Sequence, residues 1–265
     1  MIQAGASQPA APSRGVAPVW HTLVLIAAIA AVSIAGVVRP AHPQSSSNRL
    51  AAYATTAFME LVMLGWVVLG LRLRKIPLRS LFGAMPSGLG AVLRDVRIAV
   101  LFWFGSMIVL GALGAVWTRV EARVTHQQLS AQSGNMNELT PSERRATREM
   151  EQIAPSGGEE IACWVLLCAV AGFVEEAVFR GYLQTQFTAW AHGAAAAGVV
   201  LSAMMFGAAH GYQGARNMTL LAAFGVMFSL LALRRRNLRA CIFAHGWHDL
   251  VAGLALGVLR SHHVM

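Results

Sequence analysis

Apolar runs of roughly twenty residues recur along this chain, at about 19–38, 51–71, 98–117, 161–183, 193–212, 218–233 and 240–259. A helix needs about 20 residues to cross a hydrocarbon core about 30 Å thick. Inside that core every backbone N–H and C=O must find its partner within the protein, which leaves the helix as the natural spanning element for runs of this length. So many runs exclude a soluble domain on a single anchor. The predicted fold is all-α, a polytopic transmembrane helical bundle of about seven spans. Composition agrees, with 56% hydrophobic residues and 12% charged, where soluble domains carry about 25% charged residues.

The formal net charge of +9 invites a nucleic-acid reading, but its placement argues against one. Arg72, Arg74, Lys75 and Arg79 follow the second run, Arg94 and Arg97 precede the third, and Arg234, Arg235, Arg236 and Arg239 separate the last two. Basic residues in short connections act as topology determinants. No nucleic-acid partner is expected; membrane lipid is. With both clusters in the cytoplasm, the N-terminus lies inside and the C-terminus outside. The connection 118–160, with five Arg against seven Glu, then faces outward.

Residues 1–17, rich in Ala, Pro, Ser and Gln, read as a disordered tail. The first run is longer than a secretory h-region and is followed by Arg39-Pro40 rather than a small-residue cleavage site, so it reads as an uncleaved span. The organisation expected is tail 1–17, N-terminal spans 18–117, an extramembrane loop 118–160, and a catalytic core 161–260. Within the loop, Thr140-Pro-Ser-Glu143 reads as a helix start running to Gln152. The segment 76–96, broken by proline and glycine, reads as interfacial. Cys163, Cys168 and Cys241 lie in or beside apolar runs without a CxxC pair and read as reduced, buried thiols.

Chemistry concentrates in the last hundred residues. Glu175 and Glu176 stand side by side in an apolar run, with Arg180 four residues on. An ionised carboxylate at membrane depth is costly, which marks the pair as a functional candidate. On a helix Glu176 and Arg180 share a face and make a favourable ion pair. Glu175 points about 100° away and is left free for proton transfer. Phe206-Gly-Ala-Ala-His210 supplies an imidazole beside small residues that also suit helix packing. His245-Gly-Trp-His248-Asp249 places His245 and Asp249 on one face, able to orient each other, bind a metal or donate to an oxyanion. His248 is an alternative ligand. A Glu beside a His, with no Ser or Cys nucleophile, points to hydrolysis by an activated water.

These residues resemble the CPBP intramembrane proteases, the group of type II CAAX prenyl endopeptidases and Abi-like bacteriocin-processing or immunity proteins. The signature EExxxR, FxxxH and HxxxN or HxxxD is matched by Glu175-Glu176-Ala-Val-Phe-Arg180, Phe206–His210 and His245–Asp249. Phe179-Arg180-Gly181-Tyr182-Leu183 is similar to the family's continuation. The resemblance covers about residues 160–255. It implies a glutamate-dependent endopeptidase acting on a peptide or membrane protein, with Glu175 as general base, His210 beside it on the attacking water, and His245 and Asp249 stabilising the oxyanion. Glu176 and Arg180 would support the site.

No HExxH motif is present, so no cofactor is expected, with a divalent metal such as zinc as the alternative. Asp249 stands where prenyl-processing members carry Asn; it serves if protonated or by orienting His245, and equally could favour a metal. Ala- and Arg-rich usage suggests a multi-pass protein of a bacterial inner membrane. The competing functions are a non-catalytic scaffold or immunity protein of the same fold, and a proton-coupled carrier. Counted along ideal spans, His210 and His245 are separated by much of the bilayer, so if the two are to meet, either the helix around Gly207, Gly211 and Gly214 is short or broken or the span boundaries lie elsewhere.

Overall fold

The computed structural model describes residues 15–38, 46–125 and 140–263. Among these there is no strand. The helices are α1 (Val19–Val38), α2 (Ser46–Leu73), α3 (Leu89–Val124), α4 (Pro141–Ile153), α5 (Gly158–Glu175), α6 (Gln184–Trp190), α7 (Ala195–Ala209), α8 (Ala215–Arg235) and α9 (Arg239–His263). A buried π-helical segment, Glu176–Leu183, joins α5 to α6 without a break in direction. Five helices are long and apolar enough to cross a membrane, and α1 and α7 are shorter apolar helices, which together make the multi-pass bundle of about seven spans.

Polarity is inverted relative to a soluble protein. Leu101, Ile108, Val32, Leu166 and Met204 are among the exposed large apolar side chains, while Asp95, Glu176, Arg180 and His245 are buried. The exposed apolar surface suits lipid, and the buried polar groups face the bundle interior.

The two ends differ. At one end the basic clusters come together: Asp95, wholly buried, accepts from Arg235 at 2.8 Å and from Arg239 at 2.6 Å, and Arg239 also donates to the Ala84 carbonyl. The chain between α2 and α3 reaches this end through a short 3-10 turn, Leu78–Leu81, and through Gly83 and Gly88, both at positive φ. The expected interfacial stretch therefore stops earlier than read, since α3 already begins at Leu89. Val16 and Ala17, assigned from composition to the tail, are buried at the same end, and Ala17 exchanges two hydrogen bonds with Gln186. The rest of that tail, 1–14, lies outside the described residues.

The opposite end is capped by α4. Its capping box is complete: Thr140 accepts from the Glu143 backbone, and Glu143 returns to the Thr140 backbone. Glu143 also accepts from Thr118 and pairs with Arg216 at 3.6 Å, while Glu121 accepts from Ser142. These contacts tie α4 to α3 and α8. Arg49 of α2 grips Glu160 of α5 at 2.9 Å below it.

Candidate active site

The site forms where α5, α7 and α9 approach within the bundle. Gly172 of α5 lies so close to α9 that a methyl group there would sit 2.8 Å from the Gly246 nitrogen. Gly207 of α7 is as tight against α8, with a methyl position 2.5 Å from the Met218 carbonyl. Small residues at helix crossings let backbones meet, as in other membrane bundles. The close crossing of α5 and α9 carries the polar residues on these two helices into contact.

Glu175 is the last residue of α5 and Glu176 the first of the π segment. A continuous α-helix was expected over this run. The π turn differs from that expectation, and it is fixed by packing rather than by propensity, because all eight of its residues are buried. Turns of this kind are frequent at functional sites. Both glutamates turn toward one imidazole. Glu176 Oε1 lies 2.8 Å from His245 Nδ1 and 2.8 Å from an Arg180 nitrogen, with the Glu176 and Arg180 side chains at 0% and 1% exposure. Glu175 Oε2 lies 3.8 Å from His245 Nε2, and Asp249 Oδ2 lies 3.6 Å from the same nitrogen. A carboxylate only accepts, so His245 donates from Nδ1 to Glu176 and presents Nε2 to Glu175 and Asp249.

Arg180 is held as much by aromatic rings as by its carboxylate. Its guanidinium carbon sits 4.3 Å from the centre of the Phe206 ring and 5.0 Å from that of Phe228. Phe206 and Phe228 also flank His245, at 5.8 and 5.6 Å between ring centres. The phenylalanine of the second sequence pattern thus packs against Arg180, His210 and His245 together, with a cation–π contact to the guanidinium.

His210 ends α7. Its Nδ1 donates to the Phe206 carbonyl at 2.8 Å, satisfying one of the orphan carbonyls of the helix end, so the second ring nitrogen, Nε2, takes no part in that bond. Its ring rests 4.9 Å from the Phe206 ring, and the residue is within electrostatic reach of Asp249. The depth conflict set by ideal spans is resolved by a short helix: α7 stops at Ala209, a single 3-10 turn follows at Gly211–Gln213, and Gly214 at φ +89° starts α8. His248 turns elsewhere. It accepts from Trp103 of α3 at 3.3 Å and packs against Phe224.

One residue was missed. Glu60 of α2 lies within electrostatic reach of Glu175, His245 and Asp249, with a buried Oε2 that has no hydrogen-bond partner among the described residues. The sequence carried a signal for it, since Glu60 is the only charged residue between Arg49 and Arg72. The three cysteines are free, and Cys168 and Cys241 are buried.

Among the described residues no group of three or more His, Cys, Asp or Glu is arranged to hold a metal ion. The nearest assembly is a carboxylate–imidazole–carboxylate chain in which Nδ1 of His245 is already committed to a carboxylate also claimed by Arg180.

Residues 157–251 match the family model of the type II CAAX prenyl endopeptidase Rce1-like proteins. The matched stretch runs from the start of α5 into α9 and holds Glu175, Glu176, Arg180, His210, His245 and Asp249. No curated protein and no solved structure matches the chain. The match to this stretch supports, at family level, a CAAX-type intramembrane endopeptidase function, and the apolar helices make the chain a multi-pass membrane protein.

Proposed function

We propose that this protein is an intramembrane endopeptidase in which Glu175 acts as the general base on the attacking water. The observation that carries the reading is the Glu175 Oε2 atom: buried, without a hydrogen-bond partner among the described residues, and 3.8 Å from His245 Nε2. A separation beyond direct hydrogen bonding suits a bridging water. Glu175 removes a proton from that water as its oxygen adds to the scissile carbonyl. His210 Nε2 orients the same water. His245, anchored by Nδ1 on Glu176, presents Nε2–H to the developing oxyanion when doubly protonated. Asp249 holds His245 or, protonated, donates to the oxyanion itself. Glu175 then gives its proton to the leaving amine, and the peptide bond is cut. No step runs through a metal.

Glu176 takes a larger part in this scheme than an ion-pair partner. It fixes the imidazole of His245 while Arg180 fixes Glu176, so the pair supports the site by orientation. His245 lies six residues into α9 from Arg239, about 9 Å along the helix. The scissile bond is therefore expected nearer the basic end of the bundle, and that end is assigned to the cytoplasm by its positive charge. The substrate is a peptide or membrane protein reaching the site from that side, and the surrounding partner is bilayer lipid.

General acid–base catalysis contributes about 10²–10⁴-fold. Glu175→Ala and His210→Ala are expected to lower cleavage by that order while the protein still inserts and accumulates. Quantitative proteomics of membranes carrying wild type or Glu175→Ala, searching for lost cleavage products, identifies the substrate. Undiminished cleavage by Glu175→Ala removes that residue as the base. A phenotype intact in Glu175→Gln, with no cleavage product in either strain, favours a binding or immunity role for the same fold.

A further inference from the structure

Glu60 is the one acidic residue of the α2 span, and membrane-buried acids are retained where they act. Three observations place it in the Glu175 site. Its helix packs along α5 and the π segment. Glu175, His245 and Asp249 are its electrostatic neighbours. Its Oε2 and the Oε2 of Glu175 are both buried and both without a hydrogen-bond partner among the described residues.

The one cation that faces Glu60 is the His245 imidazolium, which is shared with Glu175, Glu176 and Asp249. From α5 comes Glu175, and from α9 come His245 and Asp249. In the π segment Arg180 is engaged by Glu176, which also holds Nδ1 of His245. Toward α1, His21 bonds Tyr182 and stacks on Trp66. Toward α4, the contact is Tyr53 with the Ile153 carbonyl, near the other end of α2. Two carboxyl groups that share an apolar pocket without a dedicated cation are accommodated when one carries a proton and donates it to the other.

We propose that Glu60 is a positioning carboxylic acid of this site: it keeps a proton, donates it in a hydrogen bond to the Glu175 carboxylate, and so fixes the oxygen that receives the proton of water. The proton on Glu60 stays there throughout turnover. The proton removed from water passes to Glu175 and from there to the leaving amine, so the step balances without a further reactant. This inference rests on Glu175 being the base.

Two measurements on full-length protein in nanodiscs test it. Infrared difference spectra against Glu60→Gln are expected to show a protonated carboxyl C=O band at neutral pH in the wild type that the variant lacks. Cleavage of a fluorogenic prenylated CAAX peptide is then followed against pH. Glu60→Leu, which can donate nothing, is expected to lower kcat by about 10²-fold with KM unchanged, the scale of a misplaced catalytic group. Glu60→Gln, which keeps an N–H donor, is expected to recover most of that loss and to extend activity to higher pH, having no proton to lose.

Absence of the band, or Glu60→Leu with wild-type kcat and pH profile, overturns the proposal. So does Glu60→Gln as inactive as Glu175→Ala. If instead Glu175→Ala still cleaves, the base assignment falls, and the infrared band still decides whether Glu60 carries a proton.

Discussion

Breaking the Glu176–Arg180 pair from one side and from both sides should have opposite consequences. Glu176→Ala leaves a guanidinium at 1% exposure with two phenyl rings and no carboxylate. Removing one member of a buried pair costs about 3–5 kcal/mol, because the survivor is an uncompensated charge. The rings at 4.3 and 5.0 Å face the cation in wild type and variant alike, so their attraction adds nothing to the loss and the low end of that range applies. A loss of about 3 kcal/mol is therefore expected, roughly two powers of ten in the folding equilibrium at 1.4 kcal/mol per tenfold. The double change Glu176→Leu with Arg180→Met removes both charges together and is expected to stay within about 1 kcal/mol of wild type, as hydrophobic replacements of buried pairs often do. The assay is reversible unfolding in mixed micelles, followed by tryptophan fluorescence across the full double-mutant cycle. The double variant should fold yet fail to cleave, because His245 Nδ1 has lost its acceptor. Single and double losses that simply add would refute the reasoning, as would Glu176→Ala costing less than about 1 kcal/mol.

Gly172→Ala is expected to push α9 from α5 and cost about 1–3 kcal/mol as an overpacked contact, with cleavage falling further than stability; crosslinking between cysteines placed on the two helices reports the displacement. Asp95→Ala strips Arg235 and Arg239 of their shared carboxylate and should loosen α3 from α8 and α9 by about 3 kcal/mol, seen as faster hydrogen exchange at the basic end. In the α4 cap, burial works against the Glu143 carboxylate, but hydrogen bonds from Thr118 and Thr140 and the nearby Arg216 outweigh it and hold its pKa below the ordinary 4.5. Its contribution is thus full above that value and is lost as pH falls through the lower, folded one, so proteolysis at α4 should rise only in acid; Glu143→Ala should be equally sensitive at all pH. Tyr182→Phe removes the hydroxyl bonded to His21 and Thr22 and should cost about 1–3 kcal/mol by thermal shift.

Period and composition were enough for the spans, because a bilayer imposes length and polarity on each helix independently of its neighbours. The α4 start was also local: Thr140 and Glu143 are three apart, and the capping box forms within that window. The EExxxR pattern placed Glu176 on Arg180 for the same reason. What escaped was the detail of contacts set by packing between distant segments. Glu176 meets His245 across 69 residues, and nothing around either residue specifies that meeting. The π turn has no local signal either, since burial on all sides holds it. Glu60 is the instructive case. A lone acid in a span was visible, yet only the packing of α2 on α5 joins it to the other carboxylates.

Helix α7 carries a consequence for the lipid around it. Its 15 residues rise about 22 Å, against a hydrocarbon core about 30 Å thick, and Val200, Leu201 and Met204 expose its outer face. Bilayer matched to the longer spans elsewhere is too thick at this one wedge of the circumference, by about 8 Å. Lipid there must thin or water must enter, at fractions of a kcal/mol per ångström. The wedge leads to His210, so bilayer thickness itself becomes a control on the site, and reconstitution into shorter-chain lipids should raise turnover relative to longer-chain ones.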